Sequence, residues 1–448
     1  MRDWDARHLA AAAAGAKVLR KPSNLGGAPG PTGVSIDSRG IAPGDLFVGL
    51  RGERSDGGAH ADPLLALQSL ARSWRRELRA RGTMVVAITG STGKTSTKDI
   101  LAALLSTRLR VASSPENFNT EIGLPLSILA AGADTELLVL EMAMRGRGQI
   151  AELTAIAEPD VGVIVNVGPA HLELLGTVEA IAAAKAELIE GLARGASLVV
   201  PAGEPLLEPH LRWELNTITF GEGGDVSLAE RRADGSVLIH HGESDIELRP
   251  SFAQAHNLRN LLAAVAAARA LGYTPRGRVD VSFSALRGQR ETLPGGVVLV
   301  ADCYNANPMS MRAAIDDLAE TASGRRVAVL GDMLELGPEA PGLHRAIGHH
   351  AEACGVDLLV TVGPLAAQMS IGFAGESYAV ADAPAAGELL GELVQDGDTV
   401  LVKGSRGVGL EQAIEYLRSE LQHAAAAAGA PAGAASPDGS GHAAPEQR

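Results

Sequence analysis

The sequence contains few cysteines, lysines and aromatic residues. Its 448 residues include 2 cysteines, Cys303 and Cys354, so no disulfide framework can hold the fold, which fits a reducing compartment. Aromatic residues make up 3%, so the cores must be built mainly from Leu, Val, Ile and Ala. There are six lysines among the 39 basic residues. Where arginine is the default cation, each lysine is a candidate for a site that needs a compact ammonium group.

Long apolar runs are also missing. No continuous apolar stretch reaches the roughly 18 residues that a membrane-spanning helix needs, and the first residues, 1–5, lack the apolar segment of a signal peptide. The net charge of −14 disfavours general binding to nucleic acid or to an anionic membrane. We therefore expect a cytoplasmic protein without membrane insertion and without a nucleic-acid partner. We also expect a monomer, although none of these patterns bears on the oligomeric state.

Buried strands alternate with helices through most of the chain. Apolar runs at 84–89, 136–141 and 160–166 are separated by helical patterns, and a second alternating series begins near Val297. Continuous apolar strands joined by helices indicate a parallel sheet that is covered on both faces. Residues 225–249 show short alternating strands, which predict a small antiparallel insertion. The predicted fold class is α/β, with two mostly parallel sheets.

These changes of pattern divide the chain into four parts. We predict a small N-terminal α/β domain with a linker helix at 1–82, a central nucleotide-binding domain at 83–292 and a C-terminal Rossmann-like α/β domain at 293–422. The last segment, 423–448, is dominated by Ala, Gly, Pro and Ser without apolar periodicity. We expect this segment to be a disordered tail.

The strongest motif is a glycine-rich loop, TGSTGKTS at 89–96, which follows a buried strand and opens a helix. Glycines let the backbone wrap so that its N–H groups converge on phosphate at the positive N-terminus of the helix. Lys94 would neutralise the β/γ-phosphates, and Thr95 would coordinate Mg²⁺. A strict Walker A motif has Gly or Ala where Ile88 stands, so the loop is a shortened variant. The predicted nucleotide contacts here are Gly90, Ser91, Thr92, Gly93, Lys94, Thr95 and Ser96.

Further polar side chains stand at or after the ends of strands. Glu141 ends an apolar strand, and ligand groups gather at the carboxyl ends of parallel strands, so this carboxylate suits Mg²⁺. His171 follows the next strand, where a structural role and a metal or phosphate role are both open. From spacing alone, Lys185 more simply pairs with Glu187 or Glu190 on its own helix.

The second strand series carries its own polar groups. Asp302 ends one strand, and Tyr304, Asn305 and Asn307 follow it directly before a helix that starts with proline. Two amide side chains there offer directional donors and acceptors to a polar ligand. The segment KGSRG at 403–407 ends another strand and predicts a second anion site.

Together these motifs resemble the Mur ligases, the ATP-dependent amide-forming ligases of peptidoglycan precursor synthesis. TGSTGKTSTKD is similar to the family's shortened phosphate loop, and NFNTEIGLPLSIL, LEMAMRGRGQI, NVGPAHLELLG, AAAKAEL and AHNLRN follow in the family's order. DCYNANPMSMRAAI, VAVLGDMLELG and LVKGSRGVGLE resemble the member that joins D-alanyl-D-alanine to UDP-N-acetylmuramoyl-tripeptide. VSIDSRGIAPGDLFVGLRGER resembles that member's N-terminal domain, so the resemblance spans nearly the whole chain except the last segment.

The resemblance implies a three-domain architecture and an order of chemistry. ATP phosphorylates the terminal carboxylate of the UDP-N-acetylmuramoyl-tripeptide, and the amine of D-alanyl-D-alanine attacks the acyl phosphate. Two Mg²⁺ ions offset the charge that accumulates on the reacting oxygens. The product is the UDP-linked pentapeptide used in cell-wall biogenesis.

The resemblance also implies residue roles. Thr95 and Glu141 should hold one Mg²⁺ and His171 the other, while Lys185 falls where the family has a carbamylated lysine that supplies oxygen ligands. The implied catalytic residues are Lys94, Glu141, His171, Lys185 and Arg290. His256, Asn257 and Asn260 are expected near adenine, Arg290 at the phosphates and Asp302 at the ribose. Asp37, Ser38 and Arg39 are expected in the UDP-sugar site, and Asn117, Asn119, Tyr304, Asn305, Asn307, Lys403, Ser405 and Arg406 around the dipeptide and the reacting centre.

One departure from the family pattern concerns the N-terminal domain. The segment 55–58 runs almost directly into the helix near Asp62, where the family has further strands and a helix, so this domain is expected to be shortened. The alternative function is therefore an ATP-binding relative with impaired or altered UDP-sugar recognition. A related ligase acting on another carboxylate is disfavoured by the segment 304–308.

Overall fold

The structure, a computed structural model, describes residues 8–9, 12–13, 31, 33–36, 42, 45–49, 63–115, 117–242 and 244–429. Near the N-terminus it shows two short strands, β1 (Val34–Ser35) and β2 (Leu46–Phe47), which pair in parallel. The predicted UDP-sugar residues Asp37, Ser38 and Arg39 lie outside the described residues, so that part of the prediction stays untested.

The other strands form two sheets. The central sheet contains β3 (Met84–Thr89), β4 (Val111–Ser113), β5 (Leu137–Glu141), β6 (Val161–Ile164), β7 (Ser197–Pro201), β8 (Asn216–Phe220), β9 (Val226–Arg231), β10 (Val237–His241), β11 (Ser244–Pro250) and β12 (Gly277–Val279). The C-terminal sheet contains β13 (Gln289–Thr292), β14 (Val298–Ala301), β15 (Arg326–Gly331), β16 (Leu358–Val362), β17 (Glu376–Val380) and β18 (Thr399–Lys403).

Helices cover these sheets. They are α1 (Pro63–Ala80), α2 (Lys94–Ser106), α3 (Gly123–Ala130), α4 (Gln149–Ala157), α5 (Leu172–Leu175), α6 (Val178–Gly191), α7 (Ala255–Ala270), α8 (Pro308–Thr321), α9 (Ala340–Ala353), α10 (Ala367–Ile371), α11 (Ala383–Leu393) and α12 (Glu411–Gly429). Short 3₁₀ turns lie at Glu208–His210, Pro294–Gly296, Gly337–Glu339 and Arg406–Val408. In the part of the chain that the structure describes, no helix is long and apolar enough to span a bilayer.

The central sheet has the order β12-β11-β10-β9-β8-β7-β6-β3-β5-β4. Strands β3 to β8 pair in parallel, and β9, β10 and β11 pair antiparallel, which confirms the expected antiparallel segment. Those strands extend the same sheet rather than forming a separate insertion. The strand order changes direction around β3, where crevices open at the carboxyl ends of parallel strands. The glycine-rich loop follows β3 directly.

Two apolar layers enclose this sheet. One joins alternate residues of its strands to α2 and the alanine-rich α7, whose Ala263–Ala268 are all buried. The other layer packs α1, α3, α4 and α6 against the opposite face. In α1 the predicted helical stripe is buried, and the indole nitrogen of Trp74 donates to the carbonyl of Ala131 at 3.0 Å. With few aromatic residues, the close packing depends on aliphatic side chains and on small alanines.

The C-terminal sheet has the order β13-β14-β18-β15-β16-β17, with β13 antiparallel and every other pair parallel. Helices α11 and α12 cover one face. The apolar layer on the other face, with α8 and α9, belongs to the same buried cluster as the α1 side of the central sheet. Contacts between Asn307 and Ser91, and between His171 and Glu335, place the carboxyl edges of both sheets at a shared cleft.

The boundaries differ from the sequence-based ones in three places. The predicted linker helix α1 packs on the central sheet, because its apolar stripe covers that face. Strand β13 (Gln289–Thr292), which we placed before the 292/293 boundary, pairs with β14 in the C-terminal sheet. Residues 423–429, expected in a disordered tail, continue α12 to Gly429, since their alanines favour helix. Residues 430–448 lie outside the described residues.

Candidate functional site

Two asparagines, Asn166 and Asn260, contact the glycine-rich loop. Asn166, after β6, accepts hydrogen bonds from the backbone N–H groups of Ser91 and Thr92 at 3.1 and 2.9 Å, and donates back to the Thr92 carbonyl at 3.1 Å. Gly93 has φ +75°, and a Cβ built on it would lie 2.4 Å from Oδ1 of Asn260. Glycine is therefore required at this close approach, which sets the loop against the start of α7.

Lys94 is the first residue of α2, and its Nζ donates to the carbonyl of Gly90 at 3.0 Å, so it spans the loop from one side to the other. Removal from water lowers its pKa, the charge of Glu141 opposes that shift, and the charge of Arg287 adds to it. Ser96 lies half-buried in the same first helical turn. The loop thus carries a cation at the position where phosphate charge would collect.

Thr95 and Glu141 meet as predicted. The hydroxyl of Thr95 donates to Oε2 of Glu141 at 2.7 Å, and the amide of Asn119 donates to Oε1 at 2.9 Å. Thr95 and Glu141 are each 1% exposed. Both oxygens of a buried carboxylate are fixed by neutral donors beside a hydroxyl, and this all-oxygen set fits a hard cation such as Mg²⁺.

His171 precedes α5 with φ +60° and contacts the other half of the molecule. Its Nδ1 lies within hydrogen-bond reach of the carboxylate of Glu335, which follows β15 in the C-terminal unit. Burial lowers the pKa of His171, while Glu335 raises it and the charges of Lys94 and Lys185 lower it further. Sequence reasoning missed Glu335, although it stands inside the quoted motif GDMLELG.

Lys185 does not form the helix-face ion pair that spacing suggested. Its side chain is 2% exposed, and its ammonium has no hydrogen bond or ion pair among the described residues. Glu187 instead accepts from the backbone N–H groups of Gly148 and Ala151 at 2.7 and 3.1 Å, which fixes the start of α4. Burial, and next the charge of Lys94, hold the pKa of Lys185 well below its usual value of 10.5.

The residues expected near adenine lie at the start of α7. Asn257 and Asn260 are 7% and 5% exposed, and their amides face each other at 3.4 Å. His256 is half-buried, and burial lowers its pKa against the raising charges of Asp302 and Asp317. This corner therefore lies beside the glycine-rich loop on one side and the C-terminal sheet on the other.

The C-terminal edge brings its predicted residues to the same cleft. Nζ of Lys403 lies 2.6 Å from Oδ2 of Asp302 and donates to the carbonyl of Asn305 at 3.1 Å. Asn307 caps α8 by accepting from the N–H of Ser310 at 2.9 Å, and its amide reaches the carbonyl of Ser91 at 3.4 Å.

Two predicted site residues form hydrogen bonds within the C-terminal unit, and their expected roles stay predictions. Ser405 is 4% exposed, and its hydroxyl accepts from the N–H of Leu334 at 2.9 Å. Arg290 was expected at the phosphates, but its Nη2 donates to Asp317 and Thr321 of α8, each at 2.6 Å. Its guanidinium is held there because β13 belongs to the C-terminal sheet, and Asp317 is the carboxylate within reach.

A cavity of about 300 Å³ opens between the two edges. Three residues predicted to bind substrate, Asn117, Tyr304 and Arg406, line it together with Arg287. The Arg287 guanidinium lies 4.1 Å from the centre of the Tyr304 ring. Spacing gave no signal for Arg287, because an arginine in a loop looks like any surface cation.

Two family models match the chain. The model described as Mur ligase middle domain matches residues 88–268, and the model described as Mur ligase, glutamate ligase domain matches residues 286–406. Together these spans cover more than half of the chain and contain the glycine-rich loop, Lys94, Lys185 and Lys403 of the cleft, and the Tyr304 segment.

Curated relatives match over nearly their whole length. A UDP-N-acetylmuramoyl-tripeptide--D-alanyl-D-alanine ligase of Synechocystis is 36% identical over 86% of this chain and 92% of its own length, and the Bacillus subtilis enzyme of the same name is 34% identical over 86% and 93%. A crystal structure of MurF from Acinetobacter baumannii aligns with a TM-score of 0.84 at 28% identity, covering 93% of this chain and 99% of that one. MurF ligase from Thermotoga maritima in complex with ADP aligns with a TM-score of 0.77 at 32% identity, covering 88% and 98%.

Proposed function

The chain belongs to the Mur ligase family, and from this premise we propose that it joins D-alanyl-D-alanine to UDP-N-acetylmuramoyl-tripeptide and converts ATP to ADP and phosphate as the amide bond forms. The observation that carries the proposal is the meeting of two sheet edges. The loop with Lys94 and the Thr95–Glu141 pair faces Asn307 and the Tyr304 cavity across one cleft. A nucleotide site and a second substrate site thus share one reaction space.

The glycine-rich loop binds and orients the triphosphate in this proposal. The backbone N–H groups of residues 93–96 lie at the N-terminus of α2 and have no acceptor among the described residues, and the helix dipole there favours an anion. Lys94 adds a fixed ammonium, so the transferring phosphoryl group meets a positive charge that needs no rearrangement. The relative crystallised with ADP has the same overall fold, which supports nucleotide binding here.

Two Mg²⁺ sites fit the groups that the cleft provides. Thr95 and Glu141 would hold one ion, and His171 with a modified Lys185 would hold the other. Bound Mg²⁺ offsets negative charge on the phosphoryl and acyl oxygens. The lowered pKa of His171 keeps its imidazole neutral, and a neutral imidazole is the form that binds a metal.

Carbamylation of Lys185 is supported by its surroundings. Only a neutral amine attacks CO₂, and a pKa held well below 10.5 supplies more of this form near neutral pH. The attack forms an N–C bond and releases one proton, which leaves a carbamate anion. In the unmodified protein, the positive charge of Lys94 opposes protonation of Lys185. The carbamate anion would instead attract the ammonium of Lys94.

The acceptor dipeptide is proposed to occupy the Tyr304 cavity. Arg287 and Arg406 line it and would bind the dipeptide carboxylate, while the free amine points to the cleft. The tripeptide carboxylate is first activated as an acyl phosphate, the amine attacks its carbonyl carbon, and inorganic phosphate leaves as the amide forms. A proton from the amine passes to solvent.

Two further expectations belong to this proposal. The UDP-sugar site at Asp37, Ser38 and Arg39 stays a prediction, as does the monomeric state. The proposed substrates, ATP and a UDP-linked precursor, place the activity in the cytoplasm. The alternative of a nucleotide-binding relative without ligase activity gains no support, because the chain spans 92% and 93% of two relatives that are named as ligases.

The proposal is tested by the dependence of ADP release on substrates. The purified chain with Mg²⁺ and ATP should release ADP rapidly only when the UDP-muramoyl-tripeptide and D-alanyl-D-alanine are both present, and mass spectrometry should show the pentapeptide product. Reactions that lack one substrate are the controls. ADP release without amide product, or binding of ATP without turnover in the complete mixture, would contradict the ligase function.

A further inference from the structure

A cluster of three metal-ligating side chains lies on the outside of the C-terminal unit. Asp316 stands on α8, His350 stands on α9, and Cys354 follows the last turn of α9. One atom from each side chain lies within 4.8 Å of the other two. We propose that these residues bind one Zn²⁺ or a similar borderline-soft divalent cation.

The distances within the cluster are close to those of a tetrahedral zinc site. Sγ of Cys354 lies 3.6 Å from Nε2 of His350 and 3.5 Å from Oδ1 of Asp316. With bonds of about 2.3 Å to sulfur and about 2.0 Å to nitrogen or oxygen, a tetrahedral ion separates sulfur from either lighter ligand by about 3.5 Å. Nε2 of His350 lies 2.7 Å from Oδ1 of Asp316, and binding would widen this hydrogen bond by about 0.6 Å.

The backbone holds the ligands in this arrangement. His350 and Cys354 are four residues apart on one helical face, and the N–H of Cys354 donates to the carbonyl of His350 at 3.0 Å. Asp316 comes from the neighbouring helix, and its side chain is 58% exposed while that of His350 is 21% exposed. A metal would therefore link α8 to α9 and keep a fourth position open to water.

The donor set selects the type of cation. A thiolate, an imidazole nitrogen and one carboxylate oxygen suit Zn²⁺, whereas Mg²⁺ requires oxygen ligands. On binding, the Cys354 S–H bond breaks, its proton passes to solvent and an S–metal bond forms. One thiolate and one carboxylate then balance the two positive charges of the ion. Without a metal, burial and next the carboxylate of Asp316 raise the pKa of Cys354, and Arg326 and Arg312 oppose this shift, so the cation itself must displace the thiol proton.

This site is separate from the reaction cleft. Asp316 lies nine residues after Asn307, roughly 13 Å along the helix axis from the capped end of α8 that faces the glycine-rich loop. None of its three residues belongs to the proposed ATP, Mg²⁺ or dipeptide sites. The function that we propose for it is binding alone, so its test does not depend on ligase activity.

Cobalt is the probe for the test, because Co²⁺ replaces Zn²⁺ and a thiolate–cobalt bond absorbs in the near ultraviolet. The untagged full chain, titrated with Co²⁺ under reducing conditions, should develop this band with one equivalent, and Zn²⁺ should displace it. Cys354→Ser should abolish the band, and His350→Gln should weaken Zn²⁺ binding more than about tenfold in a chelator competition. The controls are Cys303→Ser and the neighbouring His349→Gln, which should both keep the wild-type band.

Two spectroscopic results would overturn the proposed metal site. The absence of a thiolate band in the wild-type chain would show that the three groups only hydrogen-bond to one another, and would overturn it. A band that survives Cys354→Ser but disappears in Cys303→Ser would overturn it as well. Circular dichroism of each variant, recorded without metal, separates loss of a ligand from loss of the fold.

Discussion

Two lysines at the cleft, Lys185 and Lys403, are buried to the same degree but differ in the groups that surround their ammonium groups. Each is 2% exposed. Lys403 is paired with Asp302 and with the carbonyl of Asn305, whereas Lys185 has no partner among the described residues and lies within the field of Lys94. A buried charge normally has a partner, since unpaired burial is costly. From this difference we infer that Lys403, which the resemblance places near the dipeptide, also stabilises the fold, and that Lys185 takes part in the reaction.

The largest expected effect comes from the third lysine of the cleft. Lys94→Ala should lower the rate of ADP formation at least about 1,000-fold, because the transferring phosphoryl group loses its fixed cation. Coupled ADP release with all substrates measures it. The matched control is Lys98→Ala, one turn further along α2, where the ammonium bonds the carbonyl of Ser114 and should matter for stability rather than turnover. Near wild-type turnover in Lys94→Ala would count against the whole assignment.

The next largest effect is expected at Lys185, the lysine of this pair to which we assign a role in the reaction. Lys185→Ala should lose at least about 100-fold in turnover through loss of a metal ligand, and short carboxylic acids such as acetate should restore part of it by replacing the carbamate. Steady-state rates with increasing acid measure the rescue. Lys403→Ala should show no rescue, because no carbamate is expected there. If Lys185→Ala is fully active, the carbamate is not needed.

Stability should change in opposite directions at the two positions. Lys403→Met leaves Asp302 and a carbonyl without their donor and should cost roughly 1–3 kcal/mol in the free energy of unfolding. Lys185→Met removes a buried amine that has no partner in the described part of the chain, and it should stabilise the bicarbonate-free protein. Denaturant unfolding of both variants measures these effects.

The pH dependence of the Lys185 effect has a definite sign. The folded-state pKa of Lys185 is lowered from 10.5, so between the folded and unfolded values the unfolded chain binds more protons and wild-type stability rises with pH. The advantage of Lys185→Met should therefore be largest at low pH and vanish as the pH rises to 10.5. An advantage that grows with pH would contradict the lowered pKa.

Two helix N-cap residues, Thr177 and Asn307, allow a smaller test of the difference between a residue that only stabilises the fold and one that also lies at the site. Thr177 caps α6 and Asn307 caps α8, each by accepting a backbone N–H of its first turn. Alanine at either position should cost about 1 kcal/mol in the free energy of unfolding. Because Asn307 also reaches Ser91, only Asn307→Ala should raise KM for ATP or the dipeptide. Equal kinetics in both variants would remove Asn307 from the site.

The smallest expected effect is on the contact between His171 and Glu335. Glu335 raises the pKa of His171, so Glu335→Gln should lower that pKa further below 6.5. Titration of the histidine ring signals by NMR, with His171→Gln to identify the resonance, measures the shift. An unchanged pKa would mean that the two halves do not keep this contact in solution.

Much of the fold could be predicted from local pattern. The strand at 84–89 has the predicted bounds, and the α/β class and antiparallel strands after β8 follow from apolar runs and alternation, which depend on residues near in sequence. The domain boundaries could not be predicted with the same accuracy. Whether α1 packs on the central sheet, or β13 pairs with β14, depends on surfaces that are distant in the chain.

The sequence alone determined the position of the glycine-rich loop, because glycine, lysine and threonine at fixed spacing after a buried strand predict a tight turn that opens a helix. Only the tertiary structure decided the partners of the charges. It paired Lys403 with Asp302, Arg290 with Asp317 and Glu335 with His171, and it gave Lys185 no partner among the described residues. These pairs join residues up to 164 positions apart. Such pairing depends on how the two sheets pack, and the spacing of residues along the chain carries no information about that packing.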